Sequence, residues 1–272
     1  MMLDTAEPLA RLAGQRILVT GAAGSIGSAL VPVLEDAGIE VVATDIDTMN
    51  VEYAEYAQPV VKNTRPDIVF HLAGAKHAPE GEESPQRAMR VNGDGTWNVL
   101  RACELYAPDA RVVLSSTCKA CDPETAYGAS KLIAERMVLN SGGSVARMHN
   151  VTDTSGNVFR LWESLPAGEP LPVVAGCRRY FISLHDAVAL HLWAAVLEPG
   201  RYAVDPGEPR YMPELAAELY PGREQRFIPP RRGDRIQEPL HADCELYYHL
   251  DNGLLCIVGT HDPAQTKEMI AA

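Results

Sequence analysis

The sequence predicts an α/β protein with a doubly wound parallel sheet and a smaller, loop-rich C-terminal lobe. Three observations predict it: short β-branched runs alternate with helix-like segments, a glycine-rich turn follows the first run, and prolines accumulate after residue 147. The 272 residues are 46% hydrophobic and 22% charged, which is enough apolar material for a large core. Composition therefore excludes a disordered or collagen-like chain.

Five short apolar runs have the length and residue types of buried parallel strands. They cover residues 16–20, 40–44, 68–72, 111–116 and 144–147, and a last strand is predicted at 254–258. Helices are predicted at 28–37, which Gly38 ends, and around 89–106. Since right-handed crossovers join consecutive parallel strands, these elements predict one doubly wound sheet.

The charge balance limits the partners. The chain has 24 Lys and Arg against 36 Asp and Glu, a formal net charge of −12, so we expect no nucleic acid partner. Apolar stretches such as 68–75 are too short to cross a membrane, and the first fourteen residues lack the apolar segment of a signal peptide. We expect a cytoplasmic protein without membrane contact.

The six cysteines are spread thinly over the chain, which is typical of reduced thiols. Cys118 and Cys121 form a C-x-x-C, but no second pair or nearby histidine pair completes a zinc site. The sequence therefore predicts no metal site.

A glycine motif follows the first predicted strand. Gly21, Gly24 and Gly27 are three residues apart and directly precede a predicted helix, so the helix N-terminus faces a bound pyrophosphate, with Ser25 and Ile26 in the same turn. Asp45 ends the second strand, eighteen residues after Gly27. A carboxylate there binds the adenosine ribose hydroxyls and repels a 2′-phosphate, which favours NAD over NADP. The pattern predicts a Rossmann sheet that binds NAD.

A second motif carries acid–base chemistry. Tyr127 and Lys131 are four residues apart on a predicted helix, so their side chains share one face. A cation beside a phenol lowers its pKa and makes it a usable base. Ser115, Ser116 and Thr117 end a strand ten residues upstream, where a hydroxyl can bond the reacting oxygen. Together with the glycine motif, this arrangement resembles the extended short-chain dehydrogenase/reductases.

Further motifs narrow the resemblance to the polysaccharide-biosynthesis branch of nucleotide-sugar enzymes, over about residues 16–240. They are Lys76-His77-Ala78-Pro79, Val91-Asn92-Gly93, Thr117-Cys118-Lys119, Arg147-Met148-His149-Asn150 and Arg232-Gly233-Asp234-Arg235. That branch includes inverting UDP-N-acetylglucosamine 4,6-dehydratases and related epimerases. The resemblance implies a UDP-sugar substrate, a possible homodimer, an NAD-binding Rossmann domain at 1–146 and a mostly substrate-binding lobe at 147–272, with some segments returning to the sheet.

The resemblance also implies site residues. Cofactor contacts beyond the glycine motif, Asp45, Tyr127 and Lys131 are expected at Ile46, Leu72, Ala73, Gly74, Asn92 and Ser115. Substrate contacts are expected at Lys76, His77, Asn150, Arg179 and Arg232, since Arg makes bidentate contacts to a diphosphate.

Two departures from the family pattern matter. The family has Asp where this chain has Cys118, and only twenty-one residues separate Asp45 from Asp67. The short interval predicts that one peripheral strand is missing. Because of this substitution, the sequence does not identify the general acid by residue type. The candidate is the thiol of Cys118, which we expect to face the cleft.

Three functions follow from these residues. In a dehydratase, Tyr127 takes the proton of the sugar C4 hydroxyl, a neutral Lys119 removes the C5 proton and Cys118 protonates the leaving C6 hydroxyl, with Thr117 beside the reacting oxygen. The product is either a 4-keto-6-deoxy sugar or a 5,6-ene. An epimerase acting at C4 or C5 needs only Tyr127, Lys131, a hydroxyl and NAD. The third reading is a non-catalytic NAD-binding regulatory protein.

Overall fold

The computed structural model describes residues 2–260 and residue 262. Fourteen strands occur there: β1 (Arg16–Thr20), β2 (Glu40–Thr44), β3 (Ile68–His71), β4 (Arg111–Thr117), β5 (Ser144–Met148), β6 (Asn150–Val151), β7 (Leu171–Val174), β8 (Arg178–Arg179), β9 (Phe181–Ile182), β10 (Arg201–Val204), β11 (Arg210–Tyr211), β12 (Gln225–Ile228), β13 (Glu245–His249) and β14 (Leu254–Gly259).

Ten α-helices lie between the strands of this part of the chain: α1 (Ala6–Leu12), α2 (Gly27–Asp36), α3 (Ala54–Thr64), α4 (Ala78–Glu83), α5 (Pro85–Met89), α6 (Gly95–Tyr106), α7 (Ala126–Asn140), α8 (Val158–Ser164), α9 (Leu184–Val196) and α10 (Met212–Leu219). A π-helical turn, Arg90–Asp94, precedes α6, and a 3₁₀ turn, Cys118–Ala120, follows β4.

Eight strands form the main sheet in the order β13-β14-β10-β5-β4-β3-β1-β2. The pairs from β2 to β10 are parallel, and β14 pairs antiparallel with both β10 and β13. The prediction of a doubly wound, mostly parallel sheet is confirmed, and the strand predicted at 254–258 joins this sheet as β14.

The sheet ends at β2, which pairs only with β1 among the described strands. The chain between Asp45 and Asp67 holds α3 and then returns to the sheet as β3, on the other side of β1. The predicted loss of one peripheral strand is therefore confirmed, because this interval is too short for a further strand and its crossover.

The alternation of side chains along the strands explains why the strand runs are apolar throughout. Ile17 and Val19 point into one hydrophobic cluster and Leu18 into another, and all three are fully buried. Helices α2 and α9 cover the first face, and α3, α6 and α7 cover the second. In a strand that is buried on both faces, every side chain enters a core, so apolar and polar residues do not alternate along it.

The smaller lobe comes from the second half of the chain. Three two-stranded sheets, β11-β8, β12-β7 and β6-β9, lie beside the main sheet, and β7 packs with α8 and α10 around the buried Trp162. Strands β10, β13 and β14 come from the same half but belong to the main sheet. The division at residue 146 stays a prediction.

In the described residues, every helix is too short or too polar to pass through a membrane. The homodimer and the cytoplasmic location stay predictions.

Candidate active site

One cavity of about 960 Å³ lies along the carboxyl ends of the parallel strands, and residues of the small lobe line its other side. This is where ligands bind in doubly wound folds, and the volume is at the upper end of ligand pockets. The structure brings most predicted site residues to its wall, namely Gly21, Gly24, Ser25, Ile26, Gly27, Asp45, Ile46, Leu72, Ala73, Gly74, Lys76, His77, Ser115, Thr117, Lys119, Tyr127, Lys131, Asn150 and Arg179. Asn92, Cys118 and Arg232 are not part of the wall that the described residues form.

The glycine turn lies at one end of the cavity. Gly21 has a φ of 69°, and a Cβ there would lie 2.6 Å from the backbone nitrogen of Ala73. A Cβ on Gly27 would lie 2.5 Å from the carbonyl oxygen of Gly21. The backbone N–H groups of Ser25, Ile26 and Gly27 donate to no acceptor in the described chain. Three unused donors at the start of α2 fit the pyrophosphate of a dinucleotide.

Asp45 lies beside the glycine turn, at the predicted place of the adenosine ribose. Its Oδ2 accepts a hydrogen bond of 2.8 Å from the N–H of Ala23, and its Oδ1 accepts one from the N–H of Ile46. The carboxylate therefore joins the end of β2 to the glycine turn and lines the cavity. Its position fits the ribose of NAD and opposes the 2′-phosphate of NADP.

Asn92 lies behind the cavity wall that the described residues form, and its predicted contact with the cofactor stays a prediction. The side chain is buried in the π-helical turn; Oδ1 accepts from the N–H of Ala75 at 3.0 Å, and Nδ2 donates to the Ser130 hydroxyl at 2.9 Å. A Cβ on Gly74 would lie 2.9 Å from the Asn92 Oδ1. Asn92 thus connects the turn after β3 to α7 by hydrogen bonds.

Helix α7 presents Tyr127 and Lys131 to the cavity. Thr125 caps the helix by accepting a hydrogen bond of 3.0 Å from the N–H of Gly128. The Nζ of Lys131 donates to the carbonyl oxygen of Ser115 at 3.1 Å, and burial lowers the Lys131 pKa to about 8. Lys131 therefore reaches across to the end of β4.

The predicted fall of the Tyr127 pKa is wrong. Burial raises the Tyr127 pKa, and the groups that oppose this rise are the Lys119 ammonium and the Thr117 side chain. The cation that most opposes this rise is Lys119.

Cys118 does not face the cleft, contrary to the prediction. The chain enters a 3₁₀ turn after Thr117, which turns the thiol into the interior, where Cys118 is fully buried. Burial raises its pKa to about 12, and the nearby Glu238 carboxylate acts in the same direction. The thiol is a weak acid without access to the cavity.

Lys119 lines the cavity but is charged, which corrects the prediction of a neutral base. Its Nζ lies 2.7 Å from Oε1 of Glu238, whose side chain is 1% exposed. Burial lowers the Lys119 pKa, but the Glu238 carboxylate and smaller effects of the same sign outweigh it and raise the pKa overall.

Glu238 is the site residue that sequence reasoning missed. Asn150 Nδ2 donates to its Oε2 at 2.5 Å, and the Arg179 Nε lies 3.4 Å from its Oε1. Glu238 thereby joins Lys119 to two predicted substrate residues. A single Glu in a loop carries no local pattern that distinguishes it from a surface residue.

Two further differences concern the substrate side. Arg231, next to the predicted Arg232, lines the cavity and pairs with Asp234 at 3.0 Å, so Arg231 is the candidate for the diphosphate. Ser155 was also missed: its hydroxyl accepts from the Lys76 Nζ at 2.7 Å and lies 3.2 Å from the Ser25 hydroxyl. It links the glycine turn to the loop after β6.

A family model described as polysaccharide biosynthesis protein matches residues 43–257. The chain belongs to this family. The resemblance inferred from the motifs is therefore confirmed.

The chain is also similar to individual proteins. EpsC of Bacillus subtilis, described as a probable polysaccharide biosynthesis protein, is 29% identical over 80% of this chain and 42% of its own length. A Campylobacter jejuni protein described as UDP-N-acetylglucosamine 4,6-dehydratase (inverting) is 31% identical over 68% of this chain and 60% of its own length. The chain thus spans about half the length of these two relatives.

Solved structures share the fold. The UDP-glucose 4-epimerase of Thermus thermophilus, solved with NAD, is 24% identical, covers 83% of this chain with 90% of its own, and superposes with a TM-score of 0.74.

Proposed function

We propose that this member of the polysaccharide biosynthesis family is an NAD-dependent 4,6-dehydratase of a UDP-hexose such as UDP-N-acetylglucosamine. The observation that carries the proposal is that Tyr127, Thr117 and Lys119 line one cavity whose other end holds the glycine turn. Oxidation at C4 needs the first two residues, and only elimination needs a further ionisable group beside them. The dehydratase relative supports this assignment.

The chain's own groups hold the cofactor. The glycine turn takes the pyrophosphate, Asp45 the adenosine ribose and Lys131 the far end of the dinucleotide beside Ser115. When bound, NAD would supply a reversible hydride acceptor for C4 of the sugar.

Tyr127 and Thr117 act on the C4 hydroxyl. The phenol removes the hydroxyl proton, and the Thr117 hydroxyl holds the same oxygen. Once C4 is a ketone, the neighbouring C5–H is acidic. Lys119 lines the same cavity, and we assign it to the C5–C6 side of the hexose.

The small lobe binds the nucleotide. Arg231 offers a guanidinium to the diphosphate. Arg179 and Asn150 line the same part of the cavity and also bond Glu238 and backbone carbonyl groups. Lys76 and His77 line the cavity on the β3 side. These local cations offset the formal net charge of −12, which by itself repels a diphosphate.

A UDP-sugar 4- or 5-epimerase is the second candidate. The observation that favours it is the burial of Cys118 behind the wall, with a pKa raised to about 12, which leaves this chain without the acid at that position. An epimerase at C4 needs Tyr127, Thr117 and Lys131 and no acid.

The test is turnover of UDP-N-acetylglucosamine and UDP-glucose with added NAD, followed by mass spectrometry. Loss of one water supports the dehydratase, and proton spectra then distinguish a C6 methyl group from a 5,6-ene. A new sugar of unchanged mass supports the epimerase and overturns the proposal. Bound NAD without any product supports a non-catalytic protein.

A further inference from the structure

We propose that Lys119 performs both proton transfers of the elimination, and that Glu238 is the positioning residue that stores a proton for it. This inference rests on the proposed dehydratase function and adds a residue to its chemistry. It replaces the acid role that the sequence assigned to Cys118.

The geometry restricts the choice of groups. Lys119 is 22% exposed and lines the cavity, so its Nζ reaches the sugar. Glu238 also borders the cavity, but its side chain is only 1% exposed and lies 2.7 Å from the Lys119 Nζ, so its route to the sugar is through Lys119. Tyr127 is engaged at C4, and Cys118 lies outside the wall.

Glu238 is also held in place. Its Oε2 accepts from Asn150, while Oε1 is in ion-pair contact with Lys119 and Arg179 but accepts no regular hydrogen bond from a described residue. This buried oxygen therefore has a lone pair available for a proton. Since 2.7 Å is a hydrogen-bonding separation, a proton can pass between the two groups once the ammonium is aligned with this oxygen.

Substrate binding supplies the reason for transfer. The sugar displaces water from around the Lys119 ammonium, and a buried ion pair that loses water is destabilised relative to its neutral form. The ammonium proton then moves to Glu238, which leaves an amine facing the substrate.

The elimination conserves protons and electrons within this pair and the sugar. The amine takes the C5 proton, the C5–H electron pair forms the C5–C6 double bond, and the C6–O bond breaks with its electrons on oxygen. The resulting Lys119 ammonium gives a proton to that oxygen, which leaves as water. Glu238 returns its proton to the amine, and the ion pair is restored.

The test compares Glu238→Gln with wild type on UDP-N-acetylglucosamine between about pH 6 and pH 9. Water loss is followed by mass and C4 oxidation by the absorbance of reduced nicotinamide. The amide cannot store a proton, so elimination should fall at least about 100-fold at neutral pH and rise as Lys119 deprotonates, while oxidation persists. The control Glu124→Gln removes an exposed carboxylate that pairs with Arg235 at 3.1 Å, and should match wild type.

A second variant tests the inference even if Glu238→Gln does not fold. Lys119→Arg keeps a cation beside Glu238, but a guanidinium does not deprotonate, so elimination should be lost at every pH while oxidation remains. Wild-type elimination in Lys119→Arg overturns the inference. So does a Glu238→Gln variant whose pH profile is that of wild type. If wild type itself releases no water from any UDP-hexose, it is the dehydratase function that fails.

Discussion

Arg147 donates two hydrogen bonds to the carboxylate of Glu135, from Nε to Oε1 at 3.0 Å and from Nη2 to Oε2 at 2.5 Å. Both side chains are almost fully buried. Glu135 also accepts from the Ser116 hydroxyl at 2.6 Å, directly before Thr117 of the candidate site. This buried pair therefore supports the carboxyl end of β4, where the chemistry is proposed.

Arg147→Met should lower the free energy of unfolding by about 3–5 kcal/mol. The substitution removes one of the two guanidinium groups that neutralise the buried carboxylates of Glu135 and Glu245. Arg201 still pairs with both carboxylates and keeps the loss from being larger. Denaturant unfolding measures the change. The control Arg101→Met breaks an exposed pair with Glu104 and should cost less than about 1 kcal/mol. Equal effects in the two variants would show that the buried cluster does not stabilise the fold.

Tyr127→Phe should lower turnover of the UDP-sugar by about 10²–10⁴-fold, because the base for the C4 hydroxyl is removed. The ring still fills its buried place on α7, so the melting temperature and the affinity for the UDP-sugar should stay near those of wild type. Steady-state kinetics and calorimetry measure the two effects. Undiminished turnover would exclude the phenol from catalysis.

Asp45→Asn should reduce the preference for NAD over NADP, because it removes a negative charge from the 2′-phosphate position. The amide oxygen can still accept the hydrogen bond from Ala23, which keeps the link to the glycine turn, while the bond from the N–H of Ile46 is lost. Dissociation constants of both dinucleotides, measured for wild type and variant, give the preference. A wild-type protein that binds NADP as tightly as NAD contradicts the assignment.

The local patterns of the sequence predict the first half of the molecule well. Strands β1 to β5, the glycine turn and the Tyr127–Lys131 spacing each lie within a short segment, so neighbouring residues determine them. The sequence does not predict strand β13, because the strand has no apolar run. It is half polar and mostly exposed, and Glu245 is its one buried residue.

The unpredicted parts of the site depend on contacts that are distant in sequence. Glu238 meets Lys119 across 119 positions, so no spacing rule relates them. The direction of Cys118 depends on the 3₁₀ turn, where the alternation of strand side chains ends. Arg231 and Arg232 are adjacent, and only the course of the loop decides which one lines the cavity.

Three buried histidines predict a loss of stability in mild acid. Burial lowers the pKa of His71 to about 3 and those of His149 and His191 to about 4. Between about pH 6.5 and about pH 4 the unfolded chain therefore binds more protons than the folded one, so stability falls as the pH drops. Each histidine contributes up to about 1.4 kcal/mol per pH unit in that window.

Denaturant unfolding at pH 7 and in mild acid measures this slope. In His191→Asn the side-chain amide replaces the ring nitrogen that contacts the Ala187 carbonyl oxygen, and one titrating group is removed. The slope should shrink by about a third if the three contributions are similar. A stability that is flat from about pH 7 to about pH 4.5 contradicts this explanation.

Cys118→Asp restores the family's residue but should not restore its function in this chain. The new carboxylate would lie in a fully buried place, beside Glu238 and without access to the cavity, so its charge is costly. We expect several kcal/mol of lost stability in denaturant unfolding. Cys118→Ala, by contrast, should retain elimination within a few-fold of wild type, because the thiol contacts no reacting atom. Faster water loss in Cys118→Asp would mean that the turn 118–120 rearranges on substrate binding and brings this position to the sugar, which would return the acid role to it.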